Sequence, residues 1–526
     1  MARRRRFQGQ ARRLSRGLPR HRENLLEIHA HGVIARAALT TSGECADTMI
    51  RLDGMQSDKE QRFSAGPRMA AQGSVAAAPG RLAPATAVQA AFSRADDWEA
   101  QPIRKISFYC CLAALFLRLS VLPELILYVT RVNTYLLYLV APLAILTTLL
   151  MGGVQRTFQE RASKYWLAFF AWMILATPFS SWPGGSVGRL ISYSRTDGIF
   201  LFLMGALAFN WHEVRVIFRT IAAAAVVNLA STRIFEDVAS GRVTLQASGS
   251  IGNSNDLAAQ LLLLLPFLMF FAMGRGRSII VRIVVLGLLL DGIWVILGTA
   301  SRGALIGLAV VFLYILIHAS VPQRLALVVT AGAITMVAMV ALPAVTRNRL
   351  GTLFGEKNGE ADLSATSRQY LFRTSLKFTM EYPVFGVGPD QFSSFEGKTS
   401  REHGLHGDWH ETHCVFTEVS SECGVPAFIF FTAGLGSAMM LMVRTYRKAK
   451  LEGYMDIANG CYCYLLAMVG HLVALCFLAQ AYSFKLPAMV GLAVTMSFAA
   501  ARTMRSTGDR TSSTPSVLSP QNAIRR

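Results

Sequence analysis

Long apolar runs separated by short polar or basic connections set the pattern of this chain from about residue 106 to about residue 501. Runs long enough to cross roughly 30 Å of hydrocarbon as helices lie near residues 106–122, 133–151, 165–181, 196–211, 214–230 and 257–274. Six more lie near 279–298, 303–319, 324–342, 425–443, 457–479 and 484–501. The pattern predicts an all-α polytopic membrane protein with about twelve transmembrane helices. One interruption, residues 343–423, is too long and too polar to be a simple connection, and it separates the ninth span from the tenth. The predicted organisation is a polar tail over 1–104, nine spans within 105–342, the large loop 343–423, three spans within 424–502, and a disordered tail over 503–526.

Composition agrees with insertion. Of the 526 residues 52% are hydrophobic and 16% charged, which leaves too few polar side chains to cover a large soluble globule. The formal charge of +20 would suggest nucleic acid in a soluble protein. Here the Lys and Arg residues gather in the tails and in alternate connections, so the expected partners are membrane lipids and not nucleic acid. With the basic N-terminal tail inside, the stretches QRTFQERASK, GRGRS, RTYRKAK and ARTMRSTGDR all fall on the cytoplasmic side. The loop 343–423 then faces outward. The tail itself opens MARRRRFQGQARRLSRGLPRHR with no apolar core behind its arginines, which excludes a signal peptide. It reads as a disordered cytoplasmic segment, or as the product of a start assigned ahead of Met69.

Several arginines fall on the outward side against this rule: Arg189, Arg195, Arg233, Arg242, Arg302 and others in the long loop. One reading is snorkelling toward lipid phosphate, the other a cluster binding an anionic head group. Pyrophosphate is the natural ligand for the second, since a guanidinium fork matches phosphate oxygens with two parallel charge-assisted hydrogen bonds. Within the spans, Asp291 and His471 require partners on other helices or serve a proton relay.

The eight cysteines show no zinc-type pairing, and Cys414 and Cys423, nine residues apart, would lie about 13 Å apart along a helix, too far for a disulfide. His403, His406, His410 and His413 are spaced to share one helix face, which invites a metal reading. Gly404 and Gly407 disfavour that helix, and HETH is one residue short of the HExxH spacing, so no metal is expected. An imidazole near neutrality suits a general base that takes a proton from a hydroxyl.

Three segments, in order, are similar to the O-antigen ligase and polymerase superfamily of bacterial envelope glycan enzymes. GSIGNSNDLAAQLLLLLPFL at 249–268 resembles the family's glycine-asparagine turn leading into a span, with Ser254 where proline is usual. LGTASRGALIGLAVVFL at 297–313 resembles its Ser-Arg-Gly junction between two spans. SRQYLFRTSLKFTMEYPVFGVGPDQF at 367–392 and HETHCVFTEVSSECGVPAFIFF at 410–431 resemble its loop signature. In that signature an arginine-led helix is followed by a Pro-x-x-Gly-x-Gly turn and a histidine that opens a returning helix; Cys414 stands where asparagine is usual. The resemblance covers residues from about 200 to 431.

The resemblance implies a GT-C-like, metal-independent, inverting glycosyltransferase of the bacterial inner membrane, with a mainly helical periplasmic loop and an active site facing the periplasm. It would move a glycan from undecaprenyl pyrophosphate to an acceptor hydroxyl, without a cofactor. The acceptor is lipid A-core if the chain is a ligase, or a growing glycan if it is a polymerase. The residues so assigned are His413 and Arg302 as catalytic, with Arg302, Arg242, Arg368 and Arg233 holding pyrophosphate. His410, Ser301, Asn253 and Asn255 support them. A transporter of glycolipids or solutes is the alternative of another class, disfavoured because no internal repeat is found and the polar candidates lie at the outer face.

Overall fold

The computed structural model describes residues 99, 101–237, 242–245, 251–274, 276–342, 344–351, 359–404, 407 and 409–512. Most of the expected N-terminal tail, Met69 within it, and His406 lie outside the described residues, as does the chain beyond residue 512. Eighteen α-helices among the described residues are labelled here α1–α18. The first seven are α1 (Ile103–Ser120), α2 (Leu122–Thr130), α3 (Leu136–Leu150), α4 (Gly153–Thr157), α5 (Arg161–Ala176), α6 (Pro183–Ser192) and α7 (Ile199–Gly205). The middle group is α8 (Trp211–Ile234), α9 (Ser254–Met273), α10 (Ile279–Gly298), α11 (Arg302–His318) and α12 (Val321–Ala341). The loop region holds α13 (Ala344–Gly351), α14 (Gly359–Glu381) and α15 (Phe392–Glu402), and α16 (Val415–Leu451), α17 (Met455–Leu475) and α18 (Lys485–Ser512) complete the chain. A minimal antiparallel pair, β1 (Glu236–Asp237) and β2 (Thr244–Leu245), lies between α8 and α9.

Each of the expected apolar segments is helical, but among the described residues seven helices are long and apolar enough to cross a membrane unaided, or eight if the bent pair α1–α2 is one span. The remaining segments occur as the shorter apolar helices α3 and α11, as α5, and as a broken run in which a π-helix over Tyr193–Gly198 joins α6 to α7. The expected C-terminal tail differs as well, because α18 continues through residue 503 to Ser512.

The bend between α1 and α2 illustrates how backbone groups are satisfied where water is absent. Val121 adopts a left-handed conformation, and Pro123 has no N–H to return to the carbonyl of Leu119. Asn228 on α8 and Gln260 on α9 donate to that carbonyl instead, at 2.8 and 2.7 Å. Both side chains are buried, so an orphaned carbonyl here would cost several kcal/mol in hydrocarbon. The polar residues expected inside spans are partnered in the same way. Asp291 pairs with Arg233, and the buried His471 meets the carbonyl of Ala259 at 2.9 Å.

The core is built by α9 packed on α17, α10 and α8, by α16 packed on α5 and α17, and by α18 against α7 and α16. The four basic stretches collect at one end of this bundle. Arg156 donates to the carbonyl of Ala206, Arg502 to that of Phe209 at 3.4 Å, and Tyr454 to that of Met504 at 3.1 Å. The turns at 251–256, 298–302 and 476–484 lie at the other ends of the same helices.

Candidate functional site

At the end of the bundle away from the basic stretches, the nineteen-residue connection between α8 and α9 returns through β2 so that residues 242 and 243 lie on the turn between α10 and α11. Val243 donates its N–H to the carbonyl of Gly298 at 3.0 Å, and Arg242 donates Nε–H to that of Thr299 at 2.9 Å. The Nη2 of Arg242 reaches Asn255 Oδ1 at 2.8 Å. Asn253 is the N-cap of α9, its side chain accepting from the N–H groups of Asn255 and Asp256 at 2.8 and 3.1 Å. The two asparagines therefore divide the work: Asn253 starts the helix, and Asn255 fixes Arg242. In the adjoining turn Ala300 is left-handed (φ 49°), Ser301 is the extended N-cap residue, and the half-buried Arg302 is the first residue of α11. A Cβ on Gly303 would come within 2.8 Å of the Phe477 side chain, so the turn sits directly on the loop between α17 and α18.

The large loop is anchored by a break in α16. Gly424 adopts φ 82°, ψ 175°, and Pro426 lacks an N–H. Val425, whose N–H would otherwise return to Ser421, donates to the carbonyl of Pro383 at 2.8 Å. The carbonyls of Ser421 and Glu422 are thereby freed for the Pro-x-x-Gly-x-Gly turn, accepting from Val387 at 2.9 Å and Gly388 at 2.8 Å. The glycines are required by space as well as by φ. A Cβ on Gly386 would fall 2.4 Å from the carbonyl oxygen of Glu422, and one on Gly388 would fall 1.9 Å from Ser180 Oγ.

The side chain of Glu422, nearly fully buried, completes the anchor. It accepts from the N–H groups of Asp390 (2.7 Å) and Phe392 (3.1 Å) at the start of α15, and from the hydroxyl of Tyr482 (2.5 Å). Glu418, one turn earlier, accepts from the N–H of Ala481 at 3.0 Å. Tyr482 in turn lies under Arg189 of α6, whose guanidinium is 4.9 Å from the ring centre and 3.7 Å from Asp390 Oδ2. Burial works against charge on Arg189, but Asp390, Tyr482 and the glutamates together raise its pKa. Burial also pushes up the Asp390 carboxyl, with Arg189 opposing.

Residues 409–414 form a strap between α15 and α16, and the histidines described do not share a helix face, as Gly404 and Gly407 suggested: His403 follows the end of α15, while His410 and His413 sit on non-helical chain. Buried Glu396 holds the strap by accepting from the N–H of Trp409 at 2.9 Å, and from Tyr370 and Ser400 at 3.0 Å each. The rings of His410 and His413 are 6.5 Å apart. Burial, then the charges of Arg368 and His410, pull the His413 pKa down to about 4. Glu411 is pushed up by burial and by Asp390, with Arg189 opposing and Asp256 adding to the rise. Arg368 lies well inside α14, which begins at Gly359, and not at the start of its helix as the sequence suggested. Four of the seven non-glycine residues with positive φ among those described are here: Ala300, Asp390, Trp409 and His413. Such strain concentrates where geometry is fixed for function.

The structure thus groups Arg368, His410 and His413 on the strap side, and Arg242, Asn255, Ser301 and Arg302 on the turn side. The loop between α17 and α18 reaches both: Gln480 donates to Asp256 Oδ1 at 2.6 Å, and Ala481 donates to Glu418, at the start of the helix after the strap, at 3.0 Å. Phe477 of the same loop covers Gly303. Arg233 stands apart, its guanidinium held by Asp291 about two turns down α10. Sequence reasoning missed Asp390, Glu411, Glu422, Gln480 and Tyr482. The available signal was the Gly-Val-Pro break after Glu422, which marks a helix that must shed two carbonyls.

Residues 286–432 match the O-antigen ligase family, a stretch that holds the Arg302 turn, the glycine turn and the strap. The match supports an O-antigen ligase-like superfamily, of the ligase or polymerase type of glycosyltransferase acting on lipid-linked glycans. No curated protein matches the chain significantly. With its apolar helices, the match indicates a multi-pass membrane protein.

Proposed function

We propose, from a chain that carries an O-antigen ligase segment, that this protein is an inverting glycosyltransferase of the O-antigen ligase type. It has about twelve spans in a GT-C-like arrangement and works at the periplasmic face of the bacterial inner membrane. The donor is a glycan on undecaprenyl pyrophosphate and the acceptor a hydroxyl of lipid A-core. The observation that carries the reading is that one loop, between α17 and α18, touches both the turn bearing Arg302, braced by Arg242, and the start of the helix that follows the His413 strap: Phe477 lies on Gly303, Gln480 donates to Asp256 and Ala481 to Glu418.

Departure of a pyrophosphate requires stabilisation of the charge that develops on its bridging oxygen, and guanidinium donors held by rigid helix ends provide it without a metal ion. Arg302 is the first choice, because it opens α11 at the short turn from α10, where two helix ends hold its backbone. Arg368 is the second, since it approaches His413 from the loop helix. Arg242 contributes mainly by holding the turn, two of its donors already being engaged. His413 is kept neutral by its surroundings, so its imidazole can accept the acceptor's hydroxyl proton as the oxygen attacks the anomeric carbon and the carbon–pyrophosphate oxygen bond breaks. A single displacement of this kind inverts the anomeric centre.

The test is genetic and direct. In the source bacterium, Arg302→Ala and His413→Ala, each present in membranes at the normal level, are expected to abolish the ladder of glycan-bearing lipid on a gel and leave bare core. A ladder that persists with both variants rules the reading out. Core bearing one repeat unit would instead indicate a polymerase.

A further inference from the structure

Beside the strap, α6 and the turn after Gly388 are packed together by polar contacts. Ser186 Oγ donates to the carbonyl of Pro389 at 2.9 Å and meets Ser180 Oγ at 2.8 Å. Trp182 precedes this helix and is 62% exposed, with no hydrogen bond from its Nε1 among the described residues. Gly185 lies between the indole and Gln391: a Cβ there would be 2.6 Å from the Trp182 ring and 2.8 Å from Gln391 Nε2. Only glycine lets the carboxamide lie so close to the ring. Gln391 is 3% exposed, and its Oε1 is buried with no hydrogen-bond partner. Two turns along α6 from Trp182, on the same face, stands Arg189, whose buried Nε makes no hydrogen bond and faces Asp390 Oδ2 only at 3.7 Å. Buried polar atoms are seldom left unsatisfied, so two in one place next to an uncovered aromatic ring ask for a ligand that supplies hydroxyls and an apolar face.

We infer that Trp182, Arg189, Asp390 and Gln391 form a sugar-binding subsite that seats one residue of the glycan substrate beside the His413 strap; this rests on the transferase reading and specifies where that enzyme holds its sugar. The pyranose ring lies with its C–H face on the Trp182 indole. Its hydroxyls donate to Asp390 Oδ2 and to the orphaned Gln391 oxygen, and accept from the Arg189 guanidinium. An interfacial tryptophan that merely anchors a helix would face lipid and meet no such partners. Glu422 and Tyr482 act as positioning residues, the first through the Asp390 N–H and the second beneath Arg189.

The test uses the purified full chain in nanodiscs and saturation-transfer NMR. The probes are two lipid-free oligosaccharides released by mild acid from the source bacterium's own surface glycan, one the repeat unit and the other the core. Saturation transfer to either oligosaccharide that weakens about tenfold in Trp182→Ala and in Asp390→Asn, and is largely kept in Trp182→Phe, supports the subsite. The repeat unit alone would identify the donor sugar as its occupant, and the core alone the acceptor sugar. Binding that is equal in the Trp182→Ala and unaltered proteins, or absent from the unaltered protein with both probes, overturns the inference. If the unaltered protein binds through Trp182 yet transfers no glycan, the transferase reading alone falls.

Discussion

Arg242 donates its Nε–H to the carbonyl of Thr299 across 2.9 Å, and this bond joins two segments that are far apart in sequence. The same guanidinium reaches Asn255 at 2.8 Å, so the start of α9 and the turn that presents Arg302 are fixed by one planar group. A lysine has a point charge and cannot make both bonds in that geometry. Arg242→Lys is therefore expected to lower the rate of glycan transfer by about tenfold to a hundredfold, with protein levels maintained, when purified variants are compared. A rate equal to that of the unaltered protein would mean that the brace is dispensable.

The imidazole of His413 is ordinarily half-protonated near pH 6.5; burial and the neighbouring Arg368 and His410 bring this to about 4. The folded form therefore binds a proton less readily than the unfolded form. Its contribution to stability is fully present above about pH 6.5 and is lost as pH falls toward 4. For catalysis, the acid limb of kcat/KM is expected near the folded value. Arg368→Gln removes a like charge, so that limb should move upward, toward the ordinary imidazole value, in a pH–rate profile. An acid limb that stays in place, or moves down, would show that Arg368 does not set the proton affinity of this residue.

Gly424 and Gly388 hold the loop by both conformation and clearance. Each has φ in the left-handed half of the map, and a Cβ on Gly424 would lie 2.1 Å from the carbonyl oxygen of Val384. Gly424→Ala and Gly388→Ala are each expected to destabilise by roughly 2–4 kcal/mol, seen as a lowered melting temperature in detergent and as faster proteolysis within residues 383–392. Unchanged melting would show that the turn adapts readily.

Arg233 and Asp291 pair on the flank of α8 and α10. Removing either partner leaves an uncompensated charge near hydrocarbon, whereas removing both does not. Arg233→Met and Asp291→Leu alone should reduce the amount of folded protein, and the double variant should recover it together with transfer activity. Recovery of folded protein without activity would instead return Arg233 to a role in holding pyrophosphate.

The helical segments were legible because hydrocarbon demands long apolar runs, and the three motif regions because glycine, asparagine and arginine stand at helix ends where their geometry is needed. The expected orientation rests on the four basic stretches, which lie at the end of the bundle away from Arg302. Other features depended on tertiary partners that no local pattern reveals. The length of α14 hid Arg368 in mid-helix. The strap, closed by the bond from Trp409 to Glu396, kept His410 and His413 off a helix face. Arg233 was indistinguishable from the other outward arginines until Asp291 appeared beside it, and Glu422 and Tyr482, 60 residues apart, gain their meaning from a single contact.

The central claim is that the Arg302 turn and the His413 strap carry out one transfer reaction between lipid-linked substrates. Purified protein in nanodiscs, supplied with glycan on undecaprenyl pyrophosphate and with lipid A-core, tests it by the appearance of joined product on a gel. Transfer by the unaltered protein, lost by a thousandfold or more in Arg302→Ala and in His413→Ala with folding intact, is the predicted result, since each removes a group acting on the transition state. Product formed at the normal rate by either variant, or none formed by the unaltered protein with both substrates present, would contradict the account.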